Sequence, residues 1–471
     1  MAKYKCLVCE FPYDEDKNDL LWMDVPDDYT CPVCGSAKKL HEKVEEDSSV
    51  ADTISAESKT LPEMGPDDSL MRSSDEIETY MADIHQMSET GESITEPMRT
   101  RKPAFSWDEL LIKGAQLATL PLNKDEPVNI ETVIGPKAAR PLKIQTPVYI
   151  THMSFGALSP EAKTALAKGS AAVQTAMCSG EGGILPSSID NAFRYIFEYV
   201  PNGYSATEDN LKRVDAIEIK FGQSAKPGMG GHLPAEKVTR EIAEIRGFQP
   251  GESISSPSKF DDIQSREDLK KKIDWLREVS EGRPIGVKFA AGNIEADLEA
   301  ALFAEPDFIT IDGRAGATGS APKYVKASTS VPTIFALCRA RKFLDENGAN
   351  NVSLIITGGI RISSDIAKAL ALGADAVAIG TAALMAIGCQ QYKICNTGKC
   401  PMGIATQDPA LRTNLNVDKS ARRLENFLNV TSGELKDFAR LTGKKNIHNL
   451  SASDLCTVNS EVSNFTPVEH V

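Results

Sequence analysis

Phe308-Ile-Thr-Ile-Asp312-Gly313 decides the fold: a run of apolar and β-branched residues stopped by a carboxylate and a glycine. Such a run reads as a strand buried on both faces, because a half-exposed strand would alternate apolar with polar residues. The texture recurs on either side. Upstream lie Val148-Tyr-Ile-Thr-His-Met153-Ser154-Phe-Gly156, Thr175-Ala-Met-Cys178-Ser-Gly180-Glu181-Gly-Gly183, Ala216-Ile-Glu-Ile-Lys220-Phe-Gly222-Gln223 and Ile285-Gly-Val-Lys288-Phe. Downstream lie Leu354-Ile-Ile-Thr-Gly358-Gly359 and Ala376-Val-Ala-Ile-Gly380-Thr381. Helical patterns separate these seven runs, which predicts an α/β chain closed into a (β/α)8 TIM-type barrel, with the eighth strand between residues 195 and 275. An open doubly wound sheet is the alternative, but its GxGxxG fingerprint after the first strand is absent.

Cysteine spacing adds two metal-type groups. Cys389-Gln-Gln-Tyr-Lys-Ile-Cys395-Asn-Thr-Gly-Lys-Cys400-Pro401 places three thiols and a proline just after the glycine-rich strand ends, which suits an iron–sulfur cluster better than a four-ligand zinc site. Three metal-free loop cysteines are the plainer reading. At the N-terminus, Cys6-Leu-Val-Cys9 and Cys31-Pro-Val-Cys34 are two knuckles separated by 21 residues, able to enclose one zinc or iron ion tetrahedrally. Their surroundings, Lys3-Tyr4-Lys5-Cys6, Tyr13-Asp14 and Val25-Pro26-Asp27-Asp28-Tyr29-Thr30-Cys31-Pro32-Val33-Cys34-Gly35, closely resemble rubredoxin, which implies mononuclear iron. The stretch between the knuckles is shorter than in free rubredoxins, and Glu10-Phe11 stands where Gly-Tyr is usual, so zinc stays open.

Composition bounds the rest. The 471 residues are 41% hydrophobic and 25% charged, with no apolar run near the ~20 residues that span a bilayer and no signal-peptide core. A soluble cytoplasmic protein is expected; Cys178, Cys338 and Cys456 lie outside the metal-type groups, a usage that fits a reducing compartment rather than a disulfide framework, and Cys178 reads as a buried packing residue rather than a reactive one. Residues 1–100 carry 24 Asp and Glu against 9 Lys and Arg, whereas the remainder is nearly neutral. The expected organisation is a metal module at 1–42, an acidic flexible linker at 43–105 with one short helix presenting Ile77, Met81 and Ile84, and a barrel domain at 106–471 carrying the cysteine loop 389–400. No basic stripe with interleaved aromatics points to nucleic acid.

In a barrel the chemistry sits at the C-terminal strand ends. Here those ends present Ser154, Glu181, Lys220, Gln223, Lys288 and Asp312. Gly358-Gly359 and Gly380-Thr381, with Asp312-Gly313 nearby, match paired loops that bring backbone N–H groups to a phosphate, with Ser363 or Ser364 as the cap of the following helix. Two metal centres beside a phosphate site favour FMN, which takes electrons singly and passes them as a pair. Lys288 would then stabilise reduced flavin, or else pair with Asp312.

Taken in order, several stretches resemble the FMN-binding synthase domain of glutamate synthase across residues 105–465. They are Met153-Ser-Phe-Gly-Ala-Leu-Ser-Pro-Glu-Ala162, Ser179-Gly-Glu-Gly-Gly183, Ile219-Lys-Phe-Gly-Gln-Ser-Ala-Lys-Pro-Gly228, Asp312-Gly-Arg-Ala-Gly-Ala-Thr-Gly-Ser-Ala-Pro322, the Gly358 and Gly380 loops, and Cys389 to Gln407. The resemblance implies a 3Fe–4S cluster on Cys389, Cys395 and Cys400. It also implies hydride donation to 2-iminoglutarate, formed from 2-oxoglutarate and ammonia. Lys226 and Arg246 match its carboxylate anchors, Lys220 and Gln223 its flavin- and substrate-contacting residues, and Met153, Ser154 and Glu181 its pocket wall, with Glu181 handling ammonia or the iminium proton. The bland alternatives are an N-cap for Ser154 and surface ion pairs for Lys226 and Arg246.

Three departures stand out. His232 replaces a substrate-contacting glutamine, and the usual Ser-Pro-Pro-Pro-His-His-Asp-Ile reads Ser255-Ser-Pro-Ser-Lys-Phe-Asp-Asp262-Ile. There is also no N-terminal glutaminase domain or NAD(P)H fingerprint, so a separate glutaminase subunit or free ammonia is expected. A ferredoxin or an NAD(P)H-oxidising flavoprotein subunit would donate electrons, through the N-terminal iron and then the cluster to FMN. Competing readings are an N-methylglutamate synthase-like amine transferase and a non-catalytic iron protein for electron transfer; the polar ring of strand ends speaks against the latter. A zinc hydrolase is disfavoured, since four of the six histidines (His41, His85, His448 and His470) lie outside the expected strands.

Overall fold

The computed structural model describes residues 2–7, 11–15, 18, 20–33, 35–43, 72 and 74–471. Eight parallel strands close a barrel: β1 (Val148–Ile150), β2 (Ala176–Cys178), β3 (Arg194–Tyr199), β4 (Ala216–Lys220), β5 (Ile285–Ala290), β6 (Phe308–Asp312), β7 (Ser353–Thr357) and β8 (Ala376–Ile379), with β8 pairing back onto β1. The seven expected runs are all strands. The eighth, β3, starts one residue before the window that the sequence suggested. Its run Arg194-Tyr-Ile-Phe-Glu198-Tyr199 carries charge at both ends of a short apolar core, which weakens the buried-strand signal.

Helices close the outer layer. Ser159 caps the helix Pro160–Ala172, its hydroxyl accepting from the Ala162 N–H at 3.1 Å and donating to the Gly403 carbonyl at 2.6 Å. Ser154 is therefore not that cap. The 25-residue helix Val417–Leu441 lies against Pro160–Ala172 so closely that a Cβ on Gly169 would stand 2.8 Å from Leu424 Cβ. Leu110–Ile112 pairs antiparallel with Leu455–Thr457, tying the two ends of the domain together. Among the described residues, no helix is long and apolar enough to cross a membrane.

The chain divides into two units, residues 1–95 and 96–471. In the first, Lys3–Cys6 pairs with Pro12–Asp14 and with His41–Lys43, and Tyr4, Tyr13, Trp22, Tyr29 and His41 form a ring-on-ring core. Cys6 and Cys31 are buried, and the Gly35 N–H donates to the Cys31 carbonyl at 2.8 Å, closing a tight knuckle turn. Cys9 and Cys34, the other two expected ligands, lie outside the described residues, as does most of 44–73. The expected helix is Met81–Thr90, although Ile77 and Ile84 are exposed.

The expectation of a flexible tether out to residue 105 gives way at Glu96. There the Glu96 and Met98 N–H groups donate to the Ala321 and Thr318 carbonyls at 2.8 and 2.7 Å, and buried Lys326 pairs with the Glu96 carboxylate at 2.8 Å. Backbone pairing and one ion pair hold this segment, and neither leaves a trace in hydropathy.

Candidate active site

The strand ends open into one cavity of about 250 Å³. Met153, Ser154, Glu181, Lys220, Gln223 and Lys226 line it, with His232, Arg246, Lys288 and Asp312 on the same wall. Gly358, Gly359, Gly380 and Thr381 form its glycine-rich side, and Cys389, Cys395 and Cys400 complete it. Gly313 is the one expected residue left out. It packs behind the wall, where a Cβ would stand 2.4 Å from the Thr333 hydroxyl.

Charges on the substrate side come in opposed pairs. Lys220 Nζ donates to Glu181 at 2.5 Å. Burial alone would raise the Glu181 carboxyl, but Lys220, aided by Lys226, outweighs it and holds the group at about 2. Glu181 is therefore an anion at neutral pH, suited to accepting an N–H rather than donating a proton. Burial works against the Lys220 ammonium too, yet Glu198 and Glu181 keep its pKa well above the ordinary lysine value.

Among the described residues, Lys226 and Arg246 form no salt bridge with a carboxylate, which speaks against the surface ion-pair alternative. Lys226 Nζ donates to the Gly230 carbonyl at 3.2 Å, and burial lowers its pKa despite Glu181. Arg246 closes the helix Arg240–Arg246; it donates to the Phe155 carbonyl at 2.6 Å and lies over the Tyr204 ring, while its Nε is buried without a partner. A cavity-lining guanidinium with a buried N–H left unpartnered fits an incoming carboxylate. The two sequence departures meet here: His232 pairs with Ser255 in a two-residue ribbon, Nδ1 lying 3.3 Å from Ser255 Oγ.

Several functional candidates escaped the sequence reading. Lys288 does not pair with Asp312, whose carboxylate accepts from the Ser224 N–H at 3.0 Å and hydroxyl at 2.7 Å. It lies instead 3.6 Å from Glu198, inside a buried stack that continues through His152 and Glu218. Burial opposes the Lys288 charge, but Glu198 and Glu218 raise its pKa. His152 Nδ1 accepts from the Gly180 N–H at 3.2 Å, which leaves the ring proton on Nε2, 3.0 Å from Glu218. Lys163, fully buried, donates to the carbonyls of Met153, Cys178 and Ser179 at 2.7–3.0 Å, fastening the two turns that carry Ser154 and Glu181. The available signal was a lone charge in the middle of an apolar strand, as in Ala216-Ile-Glu218-Ile. Cys178 itself is buried in the barrel wall, where burial pushes its thiol well up.

On the glycine side, Gly358 and Gly359 sit at φ +109° and +86°, and a Cβ on Gly358 would strike the Gly313 carbonyl at 2.3 Å. The helix Ser363–Ala371 is capped by neither serine. Asp365 accepts from the Arg361 and Ile362 N–H groups at 2.9 and 3.3 Å, and the Ser363 hydroxyl turns to Glu434. Burial lowers the pKa of Arg361, which also lines the cavity, and the nearby Arg99 lowers it further. Two cations beside a glycine turn fit the phosphate of FMN.

The cysteine loop is charged differently. Burial, together with the neighbouring Cys389 and Cys400, pushes the Cys395 thiol up to about 12, against the opposing pull of Lys237. Among the described residues, Cys6, Cys31 and His41 gather within 4.8 Å of one another, but the three loop sulfurs form no such close group. Met98, buried at φ +64°, sets its thioether 3.8 Å from Cys395 Sγ. Cysteine donors spread around one face of a cavity suit a polynuclear cluster better than a single ion.

A (β/α)8 barrel with a phosphate cradle, buried strand-end cations and a cysteine loop on one cavity defines an FMN-type oxidoreductase. Comparison with known proteins narrows the class. Residues 78–445 match the conserved region in glutamate synthase, and residues 3–41 match rubredoxin. The archaeal-type glutamate synthase (NADPH) of Thermotoga neapolitana is 37% identical over 76% of this chain and 75% of its own. That of Dehalococcoides mccartyi is 39% identical over 79% of each, and the archaeal glutamate synthase (NADPH) of Methanocaldococcus jannaschii is 41% identical over 69% of this chain and 64% of its own. Among solved structures, a lactate oxidase of Pediococcus acidilactici aligns with a TM-score of 0.49 and 18% identity, over 75% of this chain and 84% of that one. The chain belongs to the FMN-binding glutamate synthase family, with a rubredoxin module at its N-terminus, and is a glutamate synthase-type oxidoreductase acting on CH–NH2 groups.

Proposed function

We propose that the protein reductively aminates 2-oxoglutarate to L-glutamate through 2-iminoglutarate. The observation that carries this reading is the convergence of Lys226 and Arg246 on one cavity, without carboxylate partners and with Arg246 Nε buried and unpaired. A dicarboxylate satisfies both cations. Its 2-carbon would then face Glu181, whose ionised carboxylate accepts an N–H of ammonia or of the iminium and favours its positive charge. Lys220 keeps that carboxylate charged, and Lys163 with His152 holds the turns on which Glu181 and Ser154 stand. Lys288 and the glycine cradle would hold FMN, which would supply the hydride; Cys389, Cys395 and Cys400 would hold a 3Fe–4S cluster and the N-terminal module an iron, which would supply single electrons. Ammonia comes free or from a glutaminase subunit, and reducing equivalents from a separate donor protein.

The test is anaerobic turnover of purified protein with 2-oxoglutarate, ammonium and a low-potential reductant, quantifying glutamate. Lys226→Ala is expected to lower kcat/KM about 100-fold, as loss of a buried charge-assisted contact costs ~3 kcal/mol. No glutamate from protein that demonstrably holds FMN and iron would overturn the ammonia-dependent reaction.

A further inference from the structure

Lys237 ends the one-turn helix Ala235–Lys237, directly after the ribbon that carries His232, and reaches away from the substrate side into the cysteine loop. It is 6% exposed. Its Nζ donates to the Cys395 carbonyl at 2.9 Å, across 158 residues of chain. Its stem lies along Gly398, at φ +74°, where an added Cβ would meet Lys237 Cε at 2.9 Å. A larger residue there would push the lysine out, so the glycine and the lysine are fitted to each other. Among the described residues, no carboxylate stands within salt-bridge distance of this ammonium, unlike Lys220, Lys288 and Lys326. A buried cation of this kind is costly unless negative charge is supplied to it. The negative charge that acts on it comes from Cys395 first, then from its chain neighbour Glu236, then from Cys400.

We propose that Lys237 is the electrostatic counterweight of the cysteine loop: its buried ammonium offsets thiolate charge and raises the reduction potential of the cluster that Cys389, Cys395 and Cys400 hold. Accepting one electron makes a thiolate-bound cluster more negative by one charge, so a fixed cation nearby favours the reduced form. The inference rests on the cluster reading above. Because Lys237 and His232 belong to one short segment, it also joins the substrate rim to the redox loop by chain connectivity.

The experiment is an anaerobic reductive titration of the full-length protein with dithionite, which gives one electron per cluster, followed through the EPR signal of the oxidised cluster. Iron, sulfide and FMN contents are measured on the same samples. Lys237→Gln is expected to lower the cluster midpoint potential while FMN content stays at the parental level, and Lys237→Arg to restore it. Lys393→Asn, which removes an exposed, solvent-screened charge from the same loop, is expected to leave it near the parental value. If Lys237→Gln loses its cluster altogether while Lys237→Arg keeps it, charge compensation is again supported. An unchanged potential in Lys237→Gln, an equal drop in Lys393→Asn, or cluster loss in both Lys237 variants overturns the proposal. Absence of iron and sulfide from the parent protein would instead sink the cluster reading itself.

Discussion

The two walls of the cavity handle charge in opposite ways. On the strand-end wall, anions face partners already in place: Glu181 against Lys220, Glu198 against Lys288, and Glu218 against the His152 ring. On the cysteine wall, three thiols spread around one face of the cavity, and among the described residues the nearby ammonium forms no ion pair with a carboxylate. The first wall is preorganised by the fold, so its geometry stands before substrate arrives. The second, in the proposed reading, is the wall that receives a cluster on its sulfurs. Experiments that unpair the first wall or strip the second should therefore fail in different ways.

Unpairing the stack should have the largest effect. Lys288→Met takes the ammonium from the Glu198 and Glu218 carboxylates, leaving Lys220 and the His152 ring as their neighbours, and loss of one partner from a buried ionic group costs about 4 kcal/mol. Urea unfolding should show that loss. A change below ~1 kcal/mol would mean that the stack takes up a proton and is not preorganised in the charged form.

Acid should reach the same wall through Glu181. Its folded pKa of about 2 lies below the ordinary carboxylate value of 4.5. The unfolded chain therefore binds the proton first as pH falls. The stabilisation is complete above the unfolded value and is lost as pH drops from 4.5 toward 2, amounting to roughly 3 kcal/mol. Glu181→Gln should flatten stability against pH in that window while leaving other acid-sensitive groups in force. An unaltered profile would show that Lys220 is not the partner that matters.

This contrast also explains what the sequence disclosed. The barrel was legible because eight buried strands impose continuous apolar runs, and only β3, fringed by Arg194 and Glu198, blurred the signal. The strand-end residues were legible because each follows such a run directly. The stack was not. Glu198 and Glu218 come from β3 and β4 and His152 from the turn after β1, and only the folded barrel brings them together. Met98 and Lys237 were hidden for a related reason. Each reaches Cys395 from far along the chain, one through a backbone-pinned strap and one through a single turn, and neither contact has a periodicity to detect. His232 and the stretch from Ser255 stood out separately as departures, but their pairing in one ribbon shows up only in three dimensions.

Stripping the cysteine wall should cost less than unpairing the stack. If the loop holds the proposed cluster, removing its iron with a chelator takes away a ligand that binds only the folded state, and should lower Tm by about 5 °C. In the stripped protein Lys237 is left beside uncharged thiols, so Lys237→Met should recover part of that loss, whereas it should destabilise the iron-loaded form. Scanning calorimetry of the four samples decides this. Equal effects of Lys237→Met with and without iron would erase the distinction between the walls.

The smallest effect is expected at the rim where the walls meet. His232 is exposed, and its contact to Ser255 at 3.3 Å is a rim hydrogen bond worth about 0.7 kcal/mol, or roughly threefold in an equilibrium constant. His232→Gln should therefore change KM for 2-oxoglutarate about threefold and leave kcat nearly as it was, because the residue touches neither the Glu181–Lys220 pair nor the cysteine loop. Coupling it to Ser255→Ala tests the ribbon. If the side chains act as a pair, the double variant should fall short of the sum of the singles by ~0.5 kcal/mol. A large fall in kcat would instead place His232 with the reacting groups, and the strand-end wall would then extend to the rim.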